Sequence, residues 1–117
     1  MKQLTKAEEE VMQILWRLKN CLVKDIVNEF PDPKPAYNTV STIIRILESK
    51  GFVGYEKQGR FHAYHPIIQK EDYSNQSLNK LIDSYFQGSF KSMVSFFVKE
   101  NDLSVEELEY VLKQLKK

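Results

Sequence analysis

Asn38, Ser41, Thr42 and Arg45 follow one another at spacings of three, one and three residues. At about 100° per residue they line one side of a helix. Together they offer an amide, two hydroxyls and a guanidinium. Such a set suits hydrogen bonding to base-pair edges in a DNA major groove. The short hydroxyls allow close approach, and the guanidinium matches the two acceptors of guanine or holds a phosphate. Thr39 lies at the flank of this side, in reach of a phosphate or a thymine methyl. The opposite side carries Val40, Ile43, Ile44 and Leu47, a stripe able to seat the helix on a core. The bland alternative is an amphipathic helix whose polar side meets only water.

Further along, Lys57-Gln58-Gly59-Arg60 puts two cations at a tight turn. Cations so placed suit the phosphate backbone, which adds affinity and not sequence choice. His62 and His65 stand three residues apart, a spacing that sends strand side chains to opposite faces, and no third ligand is near. No metal site is expected. The single cysteine, Cys21, has no partner for a disulfide and no CxxC pair, and reads as a packing residue. Neither a Gly-rich phosphate loop nor a nucleophile–base pair is visible, so neither an enzyme nor a cofactor is expected.

Elements that would position these residues are readable. Thr5-Lys6-Ala7-Glu8 has the form of a capping box, followed by Val11, Ile14, Leu15 and Leu18 at helical spacing. Val23, Ile26, Val27 and Phe30 mark a second, shorter helix, with Leu22 at a cap position it cannot serve. Pro31, Pro33 and Pro35 then block helix. The third helix runs from Ala36 to Lys50, with Gly51 as its stop. Residues 52–57 and 60–65 flank a Gly-containing turn and form a β-hairpin, with Arg60, His62 and Tyr64 on one face and Phe61 and Ala63 on the other. The order is helix, helix, turn, helix, hairpin. It predicts a mainly α fold, a winged helix-turn-helix of three helices plus a β-hairpin wing.

From Glu71 onward three more helices follow, the last opened by a capping box at Ser104 and Glu107. This segment carries more apolar side chains than three short helices can bury. Leu78, Leu81, Ile82, Tyr85, Phe90, Val94, Phe97, Leu108 and Leu112 are the expected dimerisation residues, and a second copy of the chain is the expected partner. The domains are expected at residues 1–70, a DNA-binding winged helix, and 71–117, a helical dimerisation domain.

The chain has 117 residues, 42% hydrophobic and 28% charged, which suits a globular protein and not a disordered one. Its net charge of +1 hides a split. Residues 1–70 hold 11 Lys and Arg against 8 Asp and Glu, and residues 71–117 hold 6 against 8. A basic front and an acidic rear fit a nucleic-acid reader joined to a module that does not bind it. No apolar run spans a bilayer and no signal peptide is evident, so a cytoplasmic place and no membrane insertion are expected.

Three stretches carry a family resemblance: Glu8 to Trp16, then Asn38 to Leu47 leading to Lys50-Gly51-Phe52, then Phe97-Val98 with Asp102-Leu103-Ser104. The chain resembles the BlaI/MecI family of penicillinase repressors, from Leu4 to Leu115. The resemblance implies a homodimer on a palindromic operator with TACA/TGTA half-sites, repressing resistance or related genes. It places the recognition positions at Thr39, Ser41 and Thr42, with Asn38 and Arg45 beside them. It also implies induction by cleavage in the dimerisation domain, triggered by a membrane-bound sensor protease. The matching dipeptide is Phe96-Phe97, where well-known members carry Asn before the Phe. Ser41 stands where those members have a longer polar residue. Two rival readings remain: a winged-helix module that binds protein, and a copper-responsive repressor, whose relatives carry clustered C-terminal cysteines absent after Cys21.

Overall fold

Thr5 opens the first helix as its spacing to Glu8 predicts. Its hydroxyl accepts the Glu8 N–H at 3.2 Å, and the Glu8 carboxylate accepts the Thr5 N–H at 3.1 Å. The structure, a computed structural model, describes residues 2–100 and 104–115. Helices α1 (Lys6–Leu18), α2 (Val23–Glu29) and α3 (Tyr37–Ser49) precede strands β1 (Val53–Gln58) and β2 (Phe61–Pro66). Helices α4 (Lys70–Tyr85), α5 (Phe90–Glu100) and α6 (Val105–Leu115) follow. The chain is mainly helical, and its front half is a winged helix-turn-helix. It divides into two compact units, Met1–Asn75 and Gln76–Lys117, so the division falls within α4.

Leu22 stands at the N-cap of α2 with no side-chain acceptor to offer. The Asp25 N–H goes instead to the Leu22 carbonyl at 3.0 Å, and the Asp25 carboxylate accepts the Leu22 N–H at 2.9 Å. At the far end of α2, Lys34 from the proline-rich turn donates to the carbonyls of Asn28 and Phe30, at 3.0 and 2.6 Å. A cation on the last carbonyls complements the helix dipole. Helix α3 ends in a Schellman turn. Phe52 N–H reaches the Leu47 carbonyl at 2.9 Å, and Gly51 N–H reaches Glu48 at 3.0 Å. Gly51 sits at φ +81°, the left-handed conformation that this turn requires and glycine adopts at least cost. The turn drops Phe52 beside Leu47 in the core, both fully buried.

Strands β1 and β2 pair antiparallel from Val53↔Pro66 to Gln58↔Phe61, around a turn with Gly59 at φ +63°. A third segment joins this ribbon. Cys21 and Tyr64 exchange both backbone hydrogen bonds, at 3.0 and 2.8 Å. The core of the first unit gathers Val11, Met12 and Leu15 of α1, Ile26 of α2, Val40, Ile44 and Leu47 of α3, and Val53 of β1. The first turn of α4 belongs to it. Tyr73 sets its ring edge-on to Phe52 at 5.6 Å, and its hydroxyl accepts the Leu4 N–H at 3.0 Å. Trp16 donates its indole N–H to the Ile68 carbonyl at 2.9 Å.

In the second unit, Ser89 caps α5 through the Ser92 N–H at 3.1 Å, and Ser104 caps α6 through the Glu107 N–H at 3.0 Å. Ile82 and Met93 are its buried apolar side chains among the described residues. Among those residues no helix is long and apolar enough to cross a membrane.

Candidate nucleic-acid interface

Helix α3 separates its two sides as its periodicity dictates. Val40, Ile44 and Leu47 are buried, and Ile43 is half-buried. Asn38, Thr39, Thr42 and Arg45 are exposed, and Ser41 is half-buried. Thr42 donates its hydroxyl proton to the Asn38 carbonyl at 2.9 Å, which leaves its oxygen lone pairs and methyl group free to face outward. Ile46 is 40% exposed on this helix, an apolar neighbour of Arg45 on the outer side.

The far end of α3 is tied to the start of α1. Lys50, the C-cap residue, places its ammonium 2.6 Å from the Glu8 carboxylate. Burial pushes the Glu8 carboxyl up, but the hydrogen bond and charge of Lys50 and the bonds from Thr5 outweigh it. The net result holds the group below its ordinary value. Glu8 recurs with Val11, Met12 and Leu15 at spacings of three, four and seven, so a carboxylate on the buried stripe of α1 was the sequence signal for such a partner.

The wing presents an aromatic face. Tyr55 and His62 stack at 4.1 Å and 9°, and Tyr64 lies 5.8 Å from Tyr55. Burial, then the charge of Glu48, pushes the Tyr64 phenol up. Lys57 and Arg60 are exposed at and near the turn. Between α3, the wing and α2 lies a cleft of about 300 Å³. Lys24, Tyr37, Arg45, Arg60, His62 and Tyr64 line it, with no acidic residue among its lining. The cleft brings Ser41 and Arg45 together with Arg60, but not Asn38, Thr39, Thr42 or Lys57. Sequence spacing gave no reason to place Lys24, Tyr37 or His62 there, because they come from three separate elements.

Cys21 is buried, and burial followed by the Asp25 charge pushes its thiol up to about 11. A thiol so protonated is a poor nucleophile at neutral pH. Among the described residues no group of three His, Cys, Asp or Glu side chains could hold a metal ion.

In the second unit Leu78, Leu81, Tyr85, Phe90, Phe96 and Phe97 are exposed, Val94 and Leu108 are half-buried, and Ile82 is buried. The Leu112 side chain lies outside the described residues, as do Asp102 and Leu103. The Phe96-Phe97 bond sits inside α5.

A family model described as "Penicillinase repressor" matches residues 4–117. The methicillin resistance regulatory protein MecI of Staphylococcus aureus (strain N315) is 31% identical over 108 residues, 92% of this chain and 88% of that protein. The penicillinase repressor of Bacillus licheniformis is 28% identical over 107 residues, 91% of this chain and 84% of that protein. The solution structure of the DNA-binding domain of the repressor BlaI superposes with a TM-score of 0.53 at 29% identity, over 61% of this chain and 88% of that one.

Proposed function

This chain belongs to the penicillinase repressor family, and from that premise we propose that it is a sequence-specific DNA-binding repressor that acts as a homodimer on a palindromic operator. One observation carries the reading. Helix α3 is seated by Val40, Ile44 and Leu47 and turns Asn38, Thr39, Thr42 and Arg45 to the outside. Thr42, Ser41 and their neighbours read base edges, Arg45 reads a guanine or holds a phosphate, and Lys57 and Arg60 of the wing hold the backbone. The action takes place where the DNA is, in the cytoplasm.

The homodimer reading is supported by the second unit, where Leu78, Leu81, Tyr85, Phe90 and Phe97 are all exposed, since large apolar side chains gathered on one surface mark an interaction site. A twofold dimer sets two copies of α3 on two half-sites, and effective concentration then multiplies their affinities. Cutting the Phe96-Phe97 bond would remove that gain, and a membrane-bound sensor protease is the proposed agent. Because the bond lies within α5, the helix must open locally before a protease can hold it extended.

The test is a salt-titrated gel shift on DNA from upstream of the chain's own gene. Specific binding that weakens steeply with salt is expected. No shift at low salt would reject the DNA reading in favour of a protein-binding winged helix. Sedimentation tests the dimer: the full chain should sediment as a dimer and a chain ending at Asn75 as a monomer.

A further inference from the structure

We propose that the cleft between α3 and the wing is a seat for a phosphate oxyanion, with Lys24, Arg45, Arg60 and His62 as its donors. The inference rests on the DNA reading above and deepens it, by giving one backbone phosphate of each half-site a defined place and by adding Lys24 and His62 to the contact set.

Three cations reach one cleft of about 300 Å³ from three elements: Lys24 from α2, Arg45 from α3 and Arg60 from the hairpin turn. No carboxylate lines it, and the Glu48 charge that reaches Tyr64 on its wall is opposed there by Arg45. Among the described residues the ion pairs are Arg17–Glu29 and Lys50–Glu8, and neither uses these three. A concave surface lined by one sign of charge focuses its field and concentrates counter-ions. The His62 ring is held face to face on Tyr55, so its edge nitrogens are what it has left for the cleft. Tyr37 also lines it. A cleft lined by cations from three elements suits a tetrahedral group with several outward oxygens better than a flat carboxylate, which one arginine fork already satisfies.

Phosphate oxygens come from two sources, the DNA backbone and free phosphate, and the experiment separates them. The full-length protein is titrated against its upstream DNA over a range of KCl. Lys24→Gln and His62→Gln are compared with wild type, and Lys80→Gln on α4 is the control. Lys24→Gln removes one contact in each half-site and should lower the slope of log affinity against log salt by about 1.8 for the dimer, about 0.9 per phosphate, equally for specific and unrelated DNA, and Lys80→Gln should leave it unchanged. A neutral methylphosphonate placed at each linkage in turn should reproduce the loss at one position, and there Lys24→Gln should add little more. In parallel, inorganic phosphate is titrated while the His62 ring and arginine side-chain NMR signals are followed. Saturable shifts with an unchanged salt slope assign the seat to free phosphate. Normal wild-type DNA binding, unchanged slopes in both variants and no phosphate-induced shift overturn the seat and leave the DNA reading standing. A wild type that binds no DNA sinks the DNA reading, and the phosphate titration then decides the seat alone.

Discussion

The Lys50 ammonium meets the Glu8 carboxylate at 2.6 Å across 42 residues of chain, joining the C-cap residue of α3 to the first turn of α1. The Glu8 carboxyl is held below its ordinary value, so its ionised form is the one the fold favours. The stability it contributes is fully present above the unfolded value of about 4.3 and is lost as pH falls through the lower folded value. Glu8→Gln should cost about 2 kcal/mol at pH 7 and flatten the fall in Tm below pH 4 to 5. Thermal melts of both proteins across pH check it, and parallel curves would remove the pair from the account.

Arg45→Ala and Thr42→Ala should each weaken operator binding by about 1–3 kcal/mol and leave Tm nearly unchanged, because both side chains are exposed. Ile44→Ala, one residue away and fully buried, should do the reverse, costing about 2–5 kcal/mol of stability. Fluorescence anisotropy at fixed salt and denaturant melts separate the two kinds of loss.

Tyr73→Phe keeps the ring against Phe52 and removes the acceptor of the buried Leu4 N–H. An orphaned buried donor costs about 1–3 kcal/mol. The unfolding free energy should fall by that amount, read as a lower denaturation midpoint, with no change in the DNA salt slope. An unchanged midpoint would mean that Leu4 finds water instead.

Cys21 should resist alkylation. With its thiol pushed up to about 11 against an ordinary value near 8.5, iodoacetamide at pH 7.5 should label the native protein slower than the unfolded one by about two orders of magnitude. Equal rates would show that the site opens readily.

The sidedness of α3 was readable because it is a local property. A 3.6-residue period places Val40, Ile44 and Leu47 together with no knowledge of what they touch. The Gly51 stop and the Thr5 and Ser104 caps were readable for the same reason. The Lys50–Glu8 pair, the Tyr73 hydroxyl on Leu4 and the Cys21 bridge to Tyr64 were not, because they join residues 42 to 69 positions apart. Spacing along the chain carries no information about such meetings. The start of α2 fell between these cases: Leu22 gave no side-chain cap, and the backbone and carboxylate of Asp25, three residues later, pair with the Leu22 backbone instead. The cleft is the extreme case, since its lining exists only once α2, α3 and the hairpin are in place.

The backbone bridge between Cys21 and Tyr64 gives β2 a neighbour on each side. A free two-stranded ribbon is marginal in water and flickers between conformers. Anchored at Tyr64 on its inner strand, this one is restrained at its base. A base held in this way has less conformational freedom to surrender if a ligand docks against the hairpin.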